Sequence, residues 1–157
     1  MFNSKNPLIR IAFVVVMMAP TVIRDNAFAQ RYASASDTRQ QLVLPASERD
    51  KVLAEMRVML GSVSRILQAL AADDIAAIED AARASGIAMA ADVDPQIRKR
   101  LPQTFLDLGM KTHKGFDELA DQVKAGASRE DVIQSLATLT GNCVACHAIY
   151  RIDETSQ

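Results

Sequence analysis

The chain has 157 residues, the length of one ordinary domain. Its 49% hydrophobic and 24% charged residues make a globular composition and exclude a disordered, self-repelling chain. A formal net charge of −1 excludes the basic field that nucleic acid or an acidic membrane surface requires, and 4% aromatics without tryptophan exclude a stacking platform for bases.

Lys5 and Arg10 precede an apolar run from Ile11 through Ala19, and Ala27-Phe28-Ala29 follows with small residues at both positions a signal peptidase reads. This order predicts a secretory signal peptide over 1–29, cleaved after Ala29. The competing reading is an N-terminal membrane anchor, but a span needs ~20 predominantly apolar residues, and Pro20 and Arg24 interrupt this one. Cleavage removes Lys5, Arg10, Arg24 and Asp25 and leaves a mildly acidic exported chain. The expected location is periplasmic, with no membrane contact after cleavage.

Residues 30–46 are polar through most of their length and show no apolar period, which predicts a flexible arm. The domain proper is expected over 47–157. Ser47 with Asp50 resembles a capping box that starts a first helix. Val52, Met56, Met59, Val63, Ile66 and Leu70 then recur at steps of four and three, and Leu53, Leu60 and Leu67 widen the stripe to a bundle face. Asp73 and Asp74 cap a second, Ala-rich helix ending near Gly86. Asp94-Pro95 suits a short helical turn. A third helix is expected from about Pro102 to Lys124 with Phe105, Leu108, Thr112, Phe116, Leu119 and Val123 inward, and Gly126 stops it. Ser128 and Asp131 open a fourth, with Val132, Leu136, Leu139 and Cys143 on one face, running to about Arg151. No segment alternates with period two for long enough to predict a strand. The expected fold is all-α, an antiparallel four-helix bundle.

Cys143-Val144-Ala145-Cys146-His147 reads C-x-x-C-H, the attachment signature of a c-type haem. On a helix, residues three and four apart share a face, so both cysteines and the histidine address one flat object. The thiols suit addition to two vinyl groups, and the imidazole suits an axial position on iron. Three other readings exist. A thioredoxin-like pair needs a βαβ setting and a helix N-terminus, a zinc site needs a fourth ligand, and a plain disulfide suits an oxidising compartment.

Gly141, Cys143, Ala145, Cys146, His147, Tyr150 and Arg151 together resemble the class II cytochromes c, the cytochrome c′ group and its low-spin relatives. The resemblance spans about Ser47 to Arg151. It implies a four-helix bundle carrying one covalent haem c, with His147 as proximal ligand and the first helix facing the other axial position. An apolar residue there leaves the iron five-coordinate, whereas a methionine closes the sixth position. Met56 stands where the resemblance places that methionine, and Met59, one turn later, is the alternative. The turn before it reads Asp50-Lys51-Val52, where the family often has an Arg-Gln pair. Many members pair through their first two helices, so a homodimer is a further expectation of the resemblance.

Among the remaining candidates, His113 flanks the apolar stripe of its helix and is read as a solvated surface side chain, with a sixth-ligand role as the alternative. Phe105 and Phe116 are read as core. Gly109 and Gly115 suit either close approach of a macrocycle or loose packing. Tyr150 is read as a packing residue, and Arg151 as a partner of a propionate or of the helix end. The expected function is one-electron transport between redox partner proteins, with no enzymatic reaction. A high-spin protein binding NO or CO is the first alternative, and a thiol–disulfide protein the second.

Overall fold

Residues 36–91 and 94–155 are described in a computed structural model. The expected signal peptide at 1–29 and the first part of the expected arm lie outside the described residues. The elements run in the order β1 (Gln40–Leu44), α1 (Ala46–Ala72), α2 (Ile75–Arg83), α3 (Ile87–Ala91), α4 (Pro95–Arg100), α5 (Gln103–Lys124), α6 (Arg129–Ile149) and β2 (Tyr150–Glu154). The chain is thus mostly helical with one small sheet. All these elements belong to the unit that begins at Thr38.

The helix ends follow local chemistry. The side chain of Asp74 accepts from the Ala77 amide and opens α2, and that of Asp94 accepts from Gln96 with Pro95 just inside α4. Ser128 and Asp131 form the reciprocal capping box of α6. Asp73 closes α1 in the left-handed region at φ 58°, which a short polar side chain tolerates, and Gly126 follows α5 at φ 87°. The Ser47–Asp50 box does not form. The Pro45 carbonyl accepts from the amides of both Glu48 and Arg49, so the helix begins at Ala46 and Ser47 is already inside it.

Two expectations about regular structure are corrected at the ends of the domain. Part of the expected arm, Gln40–Leu44, is a strand. The last helix stops at Ile149, and Tyr150 turns to φ −120°, ψ 148°. The two five-residue strands pair in parallel, Gln40 opposite Tyr150 and Leu44 opposite Glu154. Leu42 and Leu44 alternate inward in β1, a period too short to identify a strand without its partner. Parallel strands need a long crossover, and here the whole helical region supplies it.

Two clusters of buried side chains fill the interior. The larger joins Ile66 and Leu70 of α1, Ile78 of α2, Phe116, Leu119 and Val123 of α5, and Val132, Leu136 and Leu139 of α6. The smaller lies under the sheet and joins Leu42, Leu44, Val52, Ile97, Leu101, Phe105 and Tyr150. Each large side chain so buried contributes roughly 1.5–3 kcal/mol. Leu60 and Leu67 do not widen the inner face of α1 as expected. They are 69% and 53% exposed.

Gly86 packs on α5 where no side chain fits. A Cβ there would lie 2.1 Å from the Asp117 carboxylate, which accepts from the Ile87 amide at 2.8 Å and pairs with Arg83. Gly86→Ala is therefore expected to destabilise the fold by about 1–3 kcal/mol through overpacking. A lowered urea midpoint at unchanged slope measures it.

Candidate functional site

Consecutive long helices pack closely, α1 on α2, α2 on α5 and α5 on α6, whereas among the described residues α6 and α1 have far fewer close backbone approaches. These two helices run antiparallel. The Arg129 guanidinium, at the start of α6, donates to the Leu70 carbonyl near the end of α1 at 2.7 Å. At the other end, Arg49 of α1 pairs with Glu154 beyond α6.

That anchor sets the register of α6 along α1. Arg129 and His147 lie about five full turns apart at 3.6 residues per turn, so they share one side of α6 with Leu136, which docks on α5. Cys143 is one turn earlier. Equal numbers of residues from the Arg129–Leu70 contact, along both helices, reach Cys143 on α6 and Met56 on α1. On α1 the flanking stripe is Leu53, Met56, Leu60, Val63 and Leu67. On α6 Val144 is 70% exposed. With Leu60 and Leu67 exposed on α1, this side of the two helices is a candidate groove. α6 is long and apolar enough to cross a membrane by length and composition, yet it docks on α5 through Val132, Leu136 and Leu139.

Met56 and Met59 are both half-buried on α1 but join different neighbours. Met56 packs with the cluster under the sheet, as Cys146 does. Met59 packs with the larger cluster around Ile66 and Phe116. Of the two methionines, Met56 is thus the one that shares surroundings with the C-x-x-C-H turn. Tyr150 is buried in the same cluster, its ring meeting Phe105 edge-on at 5.6 Å, and Arg151 pairs with Asp153 at 2.8 Å. Arg39 donates to the His147 carbonyl at 3.4 Å, tying β1 to the end of α6.

Cys143 and Cys146 are free thiols, both half-buried, and His147 is exposed. Burial pushes the Cys143 thiol above its ordinary pKa. Burial and the neighbouring Cys143 do the same to Cys146. Both sit near the C-terminal end of α6, whose dipole also disfavours a thiolate. A dithiol exchange site needs the opposite, a lowered pKa at a helix N-terminus. Among the described residues no three His, Cys, Asp or Glu side chains converge to hold a bare metal ion. The donor set fits haem better. Two separate thiols would suit the two thioether bonds of a haem c, whose iron, with four nitrogens of its own, would need only an imidazole from this turn.

His113 is the main correction to the sequence reading. It is buried, 4% exposed, and both ring nitrogens are engaged, Nε2 with the Glu55 carboxylate at 3.0 Å and Nδ1 with the Ser85 carbonyl at 2.8 Å. Burial opposes its charge, but the hydrogen bonds it donates to the Glu55 carboxylate and the Ser85 carbonyl outweigh that and raise its pKa. The sequence held a signal for this. Glu55 lies three after Val52 and four before Met59, on the inner side of α1, and His113 lies three before Phe116 on α5. A carboxylate and a histidine at two inner positions invite pairing.

Gly109 and Gly115 do not face the groove. Gly109 lines a cavity of about 290 Å³ with Glu55, Phe105 and His113. A Cβ on Gly115 would lie 2.7 Å from Leu139 Cδ1, so this glycine serves the close approach of α5 to α6.

Comparison with protein-family models, with curated proteins and with solved structures finds no match to this chain.

Proposed function

We propose that the protein is an exported, periplasmic monohaem c-type cytochrome that carries single electrons between redox partner proteins. In this reading α1, α2, α5 and α6 act as the four helices of an antiparallel bundle of the class II cytochrome c type. The observation that carries it is the C-x-x-C-H turn near the end of α6, with Cys146 and Met56 both packed against the one buried cluster under the sheet. Cys143 and Cys146 would hold haem c through thioethers, His147 would give the iron a nitrogen ligand, and Met56 a sulfur ligand. The bound iron supplies a one-electron couple, and a neutral thioether favours its reduced form.

The chain's own contribution is rigidity and cover. Both histidine and methionine sit on long helices tied to a common core, which keeps the ligands in place when the charge on the metal changes. Leu53 and Leu60, each about one turn from Met56, would lie against the macrocycle together with Val144 and keep water from it. Leu60 and Val144 are 69% and 70% exposed.

The test is maturation of the full chain in a host that attaches haem in its periplasm. The expected product is red, its intact mass exceeding that of residues 30–157 by one haem. Its reduced spectrum is low-spin and unchanged by carbon monoxide. Colourless protein with an unmodified mass overturns the reading.

A further inference from the structure

We propose that Glu55 and His113 are positioning residues, a buried polar bridge that sets the rotation of α1 and so aims the Met56 thioether at the groove. This inference rests on the haem reading of the preceding section. Glu55 and Met56 are neighbours on α1, about 100° apart around its axis at 3.6 residues per turn. The first points to α5 and the second toward the turn that holds Cys143. His113 is held in its turn by the Ser85 carbonyl, between α2 and α3. One imidazole therefore ties α1, α5 and the α2–α3 link together at the level of Met56.

Apolar packing does not already do this work. The bridge lies on the wall of the 290 Å³ cavity, beside Gly109, where a Cβ would meet nothing within 4 Å. A loosely filled interior lets a helix roll, whereas the bonds of His113 to the Glu55 carboxylate at 3.0 Å and to the Ser85 carbonyl at 2.8 Å resist it. The roll matters because a turn of about 20° moves a side-chain tip ~2 Å on a helix of ~5–6 Å side-chain radius. A metal–sulfur bond does not tolerate such a displacement.

The experiment uses haem-loaded protein matured in the periplasm. Its readouts are the sulfur-to-iron charge-transfer band of the oxidised form, the reduction potential, and carbon monoxide binding by the reduced form. The unsubstituted protein is expected to show the band and to exclude carbon monoxide; absence of the band there refutes methionine ligation itself, and the bridge's role with it. Given the band, Glu55→Ala and His113→Ala are expected to lose at least half of it and to bind carbon monoxide at least tenfold more readily. Glu55→Gln keeps a hydrogen-bonding partner for His113 and is expected to restore most of the band.

Val132→Ala serves as the control for mere destabilisation. It truncates a buried side chain of the larger cluster near the start of α6, eleven residues before Cys143, and is expected to keep the full band. If His113→Ala does not accumulate, Glu55→Asp decides, since it keeps the charge and shortens the reach, and a reduced band is expected. A full band with unchanged carbon monoxide exclusion in Glu55→Ala, His113→Ala or Glu55→Asp overturns the proposal, as does an equal loss in Val132→Ala.

Discussion

Met56→Ala is expected to open the reduced haem protein to carbon monoxide, while Met59→Ala leaves it closed. The two side chains are one turn apart on α1 and both half-buried, so their loss costs the fold a similar amount, about 1–2 kcal/mol each. They differ in company. Met56 packs with the cluster that also receives Cys146, and Met59 with the cluster around Ile66 and Phe116. On the proposed haem reading, removing the Met56 sulfur would leave His147 as the remaining protein ligand, and the potential would fall because the group that favours the reduced ion is gone. The drop is expected to exceed about 59 mV, the one-electron equivalent of a tenfold change in equilibrium constant. Spectra of both variants with and without carbon monoxide, and a redox titration, check it. A six-coordinate Met56→Ala with an open Met59→Ala reverses the assignment of the ligand.

The features legible in the sequence are those written within a turn or two of chain. The Ser128–Asp131 box, the Asp74 cap and the stripe from Val52 to Leu70 each depend on neighbours three or four residues away, and each is where the periodicity puts it. The C-x-x-C-H turn is of the same kind. The strands are not. Tyr150–Glu154 is extended because Gln40–Leu44 lies beside it, and no local pattern carries that partnership across the whole helical region. Tyr150 shows the competition directly, since α6 could continue through it, yet its ring gains burial against Phe105 by leaving the helix.

Periodicity alone does not choose between Met56 and Met59, since both fit one inner stripe, and the resemblance alone favours Met56. The structure adds that α1 serves two separate clusters, with one of these methionines packed against each. Leu60 and Leu67 were misplaced because hydrophobicity reports that a residue wants cover, not what covers it. On the proposed haem reading a flat apolar group accounts for the exposure of Leu60, one turn from Met56, but not for that of Leu67, three turns away. His113 failed in the opposite direction, since its burial depends on a carboxylate from another helix that makes burial affordable.

That burial leads to the second large effect. Protein stability is expected to fall as pH rises above neutrality, and His113→Leu is expected to remove that dependence. His113 binds its proton more tightly in the folded chain than in the unfolded one, whose pKa is ordinary, near 6.5. A group of raised folded pKa contributes its stabilisation in full below the unfolded pKa and loses it as pH climbs through the folded value. The window therefore opens at about pH 6.5 and extends upward. His113→Leu leaves the Glu55 carboxylate, 19% exposed, facing an apolar side chain, and should cost roughly 3–5 kcal/mol near neutrality. Glu55→Leu combined with His113→Leu should recover most of that, because two packed apolar groups need no desolvated charge. Urea unfolding of the three proteins at pH 6 and pH 9 measures all of this. A single His113→Leu variant as stable as the parent, or a parent that gains stability across that range while the variant does not, would show that the imidazole is not held as a cation against Glu55.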